Sequence, residues 1–441
     1  GPTGFPGCET YQYPAASPEG RAIEGLRKLV KDGKAPKKLV LMLHEGSIGH
    51  YTIPFPKGAP TVAELFKQET GIELELVGVP PDQAYTKIMQ DVATRAGQYD
   101  IWGFSYQYVA DLAEARALRD LSEFVEKYRP DWDDPTWGYV GGQLQVIRFN
   151  TYRGRYYAVS FDGDYQIWVY RRDLFEDPKE RKEFKARYGW DLQWPETWEQ
   201  LDQISEFFHR PDKGLLGVTD LRNQWWGFTN WMQRYASMAV PDQYYFDENA
   251  KPLINGPEGI QATREYVNTL KWHHQDAISW GWPEQYANMG AGGAAVTCAF
   301  PNMPKFLDNP DNPDSKVVGK LRSGVAPGRI HNGKLIRRTV VWPSLCHGVS
   351  PLCKYPEAAY LFLQWAGSGR IFTWMVANPA GYYDPFQIPN FRDPLVRSTY
   401  KDWHIPVYIA SIERSVPPLA MPGTNQFERA LDENLLAALT R

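Results

Sequence analysis

The first part of the chain alternates between short apolar runs and longer amphipathic segments. Leu39–Leu43 is uniformly apolar and predicts a strand, and the apolar positions that follow from Val62 recur at helical spacing. Thr61 and Glu64 have the spacing of a capping box, which marks the start of this helix. The alternation of strand and helix continues to about Leu118, so it predicts an α/β fold with a parallel, doubly wound sheet.

Two further strands complete this alternating part of the chain. Ile72–Val79 alternates between apolar and polar positions, and Tyr99–Trp102 is a short strand-like run. We expect Asp82 to cap the helix between them, because an aspartate side chain accepts hydrogen bonds from the first free amides of a helix. Each strand is therefore followed by a helix, which is the order that a parallel sheet requires.

The loops that follow the strands of a doubly wound sheet meet at one edge, where such folds bind ligands. The loop after the first strand carries His44 and Glu45, and the loop after the third strand carries Ser105, Tyr106 and Gln107. Each is an ordinary polar loop residue when it is considered alone. Their common position at one edge makes them candidate ligand contacts.

Two aspartates precede a run of aromatic and β-branched residues that predicts a buried strand. Asp162 and Asp164 flank Gly163, and the run Tyr165–Tyr170 follows at once. A carboxylate only accepts hydrogen bonds, with about four lone-pair sites, so it suits a ligand that presents many hydroxyl groups. An Asp-Gly pair is also common in solvated turns, and both interpretations stay open at this point.

Length, charge and hydropathy narrow the class of protein. The chain has 441 residues, of which 43% are hydrophobic, enough for two domains with large cores. The formal net charge of −4 provides no basic surface for nucleic acid or an anionic membrane. No apolar run reaches the length of about 18 residues that a transmembrane helix needs. The residues from Gly1 onward fit an exported, processed chain as well as a cytosolic one.

Aromatic residues are unusually frequent, at 14% of the chain, with 17 Trp and 26 Tyr. Most of these rings belong in the core, but such a surplus also fits flat surfaces on which apolar ligand faces stack. Asn223–Trp231 places four aromatic residues among amides. A helical pattern assigns Phe228 and Trp231 to the core, so Trp225 and Trp226 are the candidates for a stacking surface.

The cysteines and histidines give no pattern for a metal or redox centre. The four cysteines form no Cys-x-x-Cys pair. His273 and His274 are adjacent, so their side chains point to different faces. We therefore expect no metal and no cofactor. The cysteines are Cys8, Cys298, Cys346 and Cys353.

Seven short segments, in the same order along the chain, carry a family resemblance. The segments are Phe66–Ile72, Tyr99–Ile101, Tyr170–Phe175, Pro195–Leu201, Asn255–Gly259, Ser315–Lys320 and Lys354–Ala359. The chain resembles the extracellular solute-binding proteins of bacterial ABC importers, in the carbohydrate-binding branch that includes maltose-binding protein. Each segment is weak evidence alone, but their shared order is specific for the family.

The resemblance implies two doubly wound α/β lobes joined by a hinge, the architecture of type II periplasmic binding proteins. A ligand held between such lobes favours their closure through its higher affinity for the closed state. The expected division is an N-terminal extension at 1–35, lobe 1 at 36–150 with about 300–370, and lobe 2 at about 151–299 with about 371–441.

The resemblance also carries over ligand contacts, residue by residue. Asp164 precedes the Tyr-Arg-Arg-Asp-Leu-Phe segment, where the family has an acidic or polar residue, and Asp162 lies beside it. Phe300 and Asn302 replace a more usual Trp, and only Trp342 remains of a common Gly-Gly-Trp segment. The expected ligand contacts are His44, Glu45, Ser105, Tyr106, Gln107, Asp162, Asp164, Asn223, Trp225, Trp226, Phe300, Asn302, Trp342, Tyr382, Tyr383 and Asp384.

These features predict the capture of a sugar, glycoside or polyol and its delivery to the permease subunits of an ABC transporter. We expect a monomer that is not an enzyme and that is located in the periplasm or tethered outside the cytoplasmic membrane. Two alternatives stay open. Tyr244–Tyr245 and Tyr382–Tyr383 suggest a ferric-ion or anion carrier of the same fold, because phenolates bind iron. Paired carboxylates beside stacking rings suggest a glycoside hydrolase.

Overall fold

The structure, a computed structural model, describes residues 13–142, 148–240, 244–340 and 345–441. The chain forms two compact units. Unit 1 consists of Gly1–Asp164, Trp342–Thr399 and Ala420–Thr424, and unit 2 consists of Tyr165–Val341, Tyr400–Leu419 and Asn425–Arg441. The chain therefore passes between the two units more than once.

The strands are short and come from distant parts of the chain. In the described residues they are β1 (Lys38–His44), β2 (Glu73–Val79), β3 (Ile101–Phe104), β4 (Thr151–Tyr152), β5 (Arg155–Tyr156), β6 (Val159–Ser160), β7 (Ile167–Arg171), β8 (Val296–Ala299), β9 (Leu321–Gly324), β10 (Gly328–His331), β11 (Lys334–Arg337), β12 (Thr339–Val340), β13 (Cys346–Val349) and β14 (Ser415–Val416).

Helices account for most of the remaining regular structure. Over the same residues they are α1 (Pro18–Lys31), α2 (Gly49–Thr52), α3 (Val62–Thr70), α4 (Ala84–Thr94), α5 (Val109–Glu114), α6 (Ser122–Tyr128), α7 (Arg172–Phe175), α8 (Pro178–Tyr188), α9 (Trp198–Phe208), α10 (Gly227–Ala236), α11 (Pro257–Thr269), α12 (Trp282–Gly290), α13 (Asn302–Leu307), α14 (Pro356–Ala366), α15 (Gly369–Ala377), α16 (Ile388–Arg392), α17 (Pro394–Tyr400), α18 (Ile405–Glu413) and α19 (Thr424–Thr440).

The main sheet of unit 1 has the strand order β2-β1-β3-β13-β6. β1 is parallel to β2 and to β3, as the alternating pattern predicts. β13 returns from a distant part of the chain and is antiparallel to both β3 and β6. Cys346 of β13 pairs with Phe104 on one side and with Ser160 on the other, so β3 and β6 end at the same edge. Continuing the register of β1 with β3 places His44 at that edge too.

Local signals set the ends of the helices around this sheet. Thr61 and Glu64 form the predicted capping box, and Gly71 ends α3 in the left-handed conformation with φ 79°. The expectation for Asp82 was wrong, because this residue lies in a 3₁₀ turn and Gln83 precedes α4 without a side-chain cap. The turn starts at Pro81, whose fixed φ favours a tight turn at this point.

Unit 2 is built around β7, which is antiparallel to both β8 and β9. One face of this sheet packs on α9, where Trp198, Ile204 and Phe208 are buried. Thr197 and Gln200 form the capping box of α9, as the sequence predicts. The sheet of unit 2 is thus mostly antiparallel in its named strands, whereas the first three strands of unit 1 are parallel.

A second core of unit 2 joins α10 to the last helix, α19. Phe228 and Trp231 of α10 pack with Tyr266 of α11 and with Leu435 and Leu439 of α19. All five side chains are buried. The last helix is therefore an integral part of the core beneath the segment Asn223–Trp226.

The boundaries of the units differ from the expected lobes in several stretches. Residues 300–341 belong to unit 2, because β9 within this stretch pairs with β7. Residues 371–399 and 151–164 belong to unit 1, where α15 packs against α16 and β6 pairs with β13. Among the described residues, none of the helices is both long and apolar enough to cross a membrane.

Candidate ligand-binding site

Three buried aspartates come together in unit 1. Asp162 and Asp164 follow β6 directly, and Asp384 comes from the segment between α15 and α16. Each has a carboxylate oxygen within 4.8 Å of one in each of the other two, and all three side chains are buried. The solvated-turn interpretation of Asp162 and Asp164 is therefore wrong. Buried carboxylates are uncommon, so this group is the candidate ligand-binding site of unit 1.

Backbone contacts fix the positions of these carboxylates. The N–H of Asp384 donates to Oδ1 of Asp162 over 2.9 Å. Gly163 lies against the same segment, because a side-chain carbon there would come within 2.7 Å of Cβ of Phe386. Glycine thus permits the close approach that brings Asp162 and Asp164 to Asp384.

Behind the cluster, His50 holds the segment that carries Asp384. Nδ1 of His50 donates to the carbonyl of Met375 over 2.8 Å, and Nε2 accepts the N–H of Tyr383 over 3.0 Å. The carbonyl only accepts and the amide only donates, so the neutral tautomer with its proton on Nδ1 is required. Its ring stacks on that of Tyr383, with the centroids 4.0 Å apart. Gly381 is required beside it, because any Cβ would overlap this imidazole.

The two tyrosines of this segment have different surroundings. Tyr382 is partly exposed and its ring covers Gly46, whereas Tyr383 is fully buried and its hydroxyl lies 3.1 Å from that of Tyr51. Burial raises the pKa of the Tyr383 phenol well above its ordinary value. Tyr383 is therefore a supporting residue rather than an exposed stacking surface in this structure.

The other predicted residues of unit 1 lie at the edge of the sheet where β1 and β3 end. His44 is buried, its Nε2 has no hydrogen-bond partner among the described residues, and burial lowers its pKa to about 4. Gln107 is also buried, and its Oε1 likewise lacks a partner in the described part of the chain. Tyr106 packs edge-on against Phe149, and Glu45 is exposed. Ser105 is partly buried at the start of the turn after β3.

Unit 2 contains a separate aromatic and amide group. Trp226 is half-buried and meets Phe300 edge-on, with the ring centroids 5.5 Å apart. Asn302 is buried, and its Oδ1 accepts a hydrogen bond from the hydroxyl of Tyr286. Asn223 is half-buried, and its carbonyl accepts the N–H of Trp226 over 3.2 Å. These residues combine apolar ring edges with amide groups.

Trp225 is the most exposed aromatic of this group, with 42% of its surface accessible. Its φ of 83° lies in the left-handed region that a bulky side chain rarely adopts. The guanidinium of Arg429 lies over the ring at 4.7 Å from its centroid. Trp225 thus combines a strained backbone with a partly exposed ring.

The sequence of the chain matches a known family over most of its length. The family model described as bacterial extracellular solute-binding protein matches residues 53–368. This chain belongs to that family. The family resemblance stated from the seven segments is therefore confirmed. Members of this family bind solutes, so the solute-binding protein is not an enzyme, and the hydrolase alternative is set aside.

Among the proteins that resemble this solute-binding protein is a curated relative. It is 26% identical over 315 residues to the mannitol-binding protein of Pseudomonas aeruginosa. That match covers 70% of this chain and 65% of the relative, which is less than two thirds of the relative's length.

The structural comparisons confirm the fold. An ABC transporter solute-binding protein from Agrobacterium radiobacter, solved with ribitol, has a TM-score of 0.73 at 20% identity, over 92% of this chain and 94% of that one. The maltose-bound MalE3 of T. maritima has a TM-score of 0.70 at 17% identity, over 92% and 95% of the two chains. The solute-binding protein therefore has the two-lobed α/β fold of type II periplasmic binding proteins, as predicted.

Some residues near the site of this solute-binding protein lacked a usable signal in the sequence. His50 supports the aspartate cluster, but its partners are more than three hundred residues away, at Met375 and Tyr383. Trp282 is partly exposed at the start of α12 and meets Tyr286 edge-on. Only its position between Gly281 and Pro283 could have singled it out. Trp342 lies outside the described residues.

Proposed function

We propose that this solute-binding protein captures an acyclic polyol and that the carboxylates of Asp162, Asp164 and Asp384 hold its hydroxyl groups. The observation that carries the proposal is the buried cluster itself, with carboxylate oxygens within 4.8 Å of one another. A polyol presents a hydroxyl donor on every carbon, and each carboxylate accepts several hydrogen bonds. The arrangement is therefore complementary to a chain of neighbouring hydroxyl groups.

The expected affinity follows from the strength of such hydrogen bonds. A hydrogen bond to a charged acceptor contributes about 1.5–3 kcal/mol, and burial strengthens it further. A few such bonds are enough for binding at about micromolar concentration, which corresponds to about −8 kcal/mol.

Two of the related proteins support a polyol as the solute. The relative from Pseudomonas aeruginosa is a mannitol-binding protein, and the Agrobacterium radiobacter structure contains ribitol. The maltose-bound structure supports a second candidate, a glycoside that stacks on tryptophan. Trp225 favours this candidate, because it is the exposed ring that a flat sugar face could cover.

We also propose a cellular location and a protein partner. The family is extracellular, and we propose the periplasm or the outer side of the cytoplasmic membrane as the location. The structural neighbour with ribitol belongs to an ABC transporter, so the partner would be the permease subunits of such a transporter. The solute-binding protein would act as a monomer.

Isothermal titration calorimetry with D-mannitol, ribitol, maltose and L-alanine tests the proposed function. We expect heat with at least one of the two polyols and weaker or no heat with maltose. Asp384→Asn should weaken polyol binding by about tenfold or more, because it removes a charged acceptor. Asp82→Asn, an exposed aspartate of the same unit, is the matched control and should bind normally. Binding of L-alanine alone would overturn the proposal.

A further inference from the structure

The first turn of α10 lacks a cap of its own. Trp226 is the residue before the helix, and it provides no side-chain hydrogen bond to the free amides. The missing acceptor comes from the last helix, where Oδ1 of Asp432 accepts the N–H of Phe228 over 2.9 Å. The backbone N–H of Trp225 also acts on this carboxyl group, because it lowers the pKa of Asp432. A carboxylate that is distant in sequence therefore caps the N-terminus of α10, the end of a helix where negative charge is favourable.

Gly227 shows how closely the last helix approaches this turn. A side-chain carbon at Gly227 would lie 2.7 Å from the hydroxyl oxygen of Tyr266 and 3.4 Å from Oδ1 of Asp432. Only a glycine leaves room for the carboxylate to reach the amides. The close contact between α19 and the first turn of α10 thus depends on the absence of a side chain at Gly227.

Arg429 and Asp432 are one helical turn apart, so they lie on the same face of α19. Asp432 binds the backbone on one side of Trp226, and Arg429 covers the ring of Trp225. Together they contact the backbone of Phe228 and the ring of Trp225, a residue with a left-handed φ. A bulky residue keeps such a conformation only where its surroundings determine it.

Strained and partly exposed aromatic residues are typical of functional sites. Trp225 has one ring face against Arg429 and 42% of its surface accessible, and Trp226 meets Phe300 edge-on. We propose that Arg429 and Asp432 are positioning residues that hold the Trp225–Trp226 turn in the conformation that receives the ligand. This inference rests on the proposed function, because it assigns the turn to ligand contact.

Hydrogen exchange tests the ordering of the turn without any ligand. In Asp432→Ala, the amide of Phe228 loses its acceptor, and we expect its exchange to become at least about tenfold faster. Asp432→Asn keeps an acceptor oxygen and should exchange like the wild type. Leu435→Ala is the matched control, because it removes a core side chain of the same helix but leaves Asp432 and Arg429 in place. Unchanged exchange in Asp432→Ala would overturn the inference.

Calorimetry with D-mannitol, ribitol and maltose then separates positioning from stability. Asp432→Ala and Arg429→Met should each lower the affinity for the tightest-binding ligand by about tenfold. The reason is that a smaller fraction of the protein then has the Trp225–Trp226 turn in the conformation that receives the ligand. Asp432→Asn should restore affinity. Leu435→Ala should lower the melting temperature and leave the affinity unchanged. Equal losses of affinity in Leu435→Ala and Asp432→Ala would overturn the inference.

If the proposed polyol binding is wrong, the experiments give a different result from the one that overturns the positioning role of Asp432. If the folded wild type binds neither D-mannitol nor ribitol, the polyol assignment is wrong. The hydrogen-exchange comparison of Asp432→Ala with Leu435→Ala then decides on its own whether the last helix orders the turn. The two claims can therefore fail separately.

Discussion

His44 and His347 are buried histidines of unit 1 whose surroundings differ from those of His50. Both ring nitrogens of His50 have partners, but Nε2 of His44 and both ring nitrogens of His347 have none among the described residues. Burial disfavours the charged ring, so the pKa of His44 falls to about 4 and that of His347 to about 3. The stability of the folded state therefore depends on pH through His44 and His347.

The sign of this link predicts loss of stability in acid. In the unfolded chain a histidine has its normal pKa of about 6.5, so on acidification it binds a proton before the folded state does. The free energy of unfolding therefore falls as the pH drops below that value. Each of these two histidines should cost about 2 kcal/mol of stability by pH 5. Urea unfolding at pH 7.5 and at pH 5 should show a smaller loss for His347→Leu than for the wild type. Equal losses would contradict the assignment.

The left-handed backbone of Trp225 gives a second residue-level prediction. Trp225→Gly and Trp225→Ala both remove the ring and its contact with Arg429, but only glycine adopts a φ of 83° without strain. We expect Trp225→Gly to be more stable than Trp225→Ala by about 1 kcal/mol in urea unfolding. Equal stabilities would show that the turn relaxes once the ring is lost.

The secondary-structure elements with strong local signals could be predicted from the sequence. The capping boxes at Thr61 and Thr197 mark true helix starts. The aspartate cluster could be predicted only in part, because the bond between Asp384 and Asp162 joins residues 222 positions apart. No local pattern encodes a contact of that separation. The family resemblance named Asp384, and the fold then placed it beside Asp162.

The turn between Asp162 and Asp164 gives a prediction at the scale of the element. Gly163→Ala would place a carbon 2.7 Å from Cβ of Phe386, so the turn must move away from the segment of Asp384. We expect polyol affinity to fall by about tenfold, equivalent to about 1.4 kcal/mol. The control is Gly256→Ala, where the new carbon would come no closer than 3.3 Å to another residue. A similar change in both variants would contradict the expected role of the turn.

The contact between α19 and α10 predicts a second pH effect. Burial raises the pKa of Asp432 to about 7, although the amides of Phe228 and Trp225 and the neighbouring Glu433 also act on it. The folded state therefore holds this proton more tightly than the unfolded chain, where the pKa is about 3.9. The resulting stability is complete below about pH 4 and is lost as the pH rises through about 7.

Asp432→Asn removes this titration while it keeps an acceptor oxygen for the amide of Phe228. The variant should be more stable than the wild type at pH 8, and its advantage should shrink towards pH 5. Urea unfolding at both pH values checks this. An advantage that grows towards acid pH would mean that burial does not raise the pKa of Asp432.

At the scale of the whole molecule, the two compact units could be predicted from length and resemblance, but their boundaries could not. Residues 300–341 belong to unit 2 because β9 pairs with β7, a long-range antiparallel contact. The order of the segments along the chain does not specify such pairings. The closure of the two lobes on a ligand stays a prediction. Small-angle X-ray scattering with and without polyol would test it, through a smaller radius of gyration with ligand.

The central claim is that the carboxylates of Asp162, Asp164 and Asp384 bind the hydroxyl groups of a polyol. The most direct test is a crystal structure with the polyol that gives the largest heat. The account predicts at least two ligand oxygens at about 2.5–3.0 Å from these carboxylate oxygens. A polyol bound elsewhere, with a metal ion or only water among the three aspartates, would contradict it.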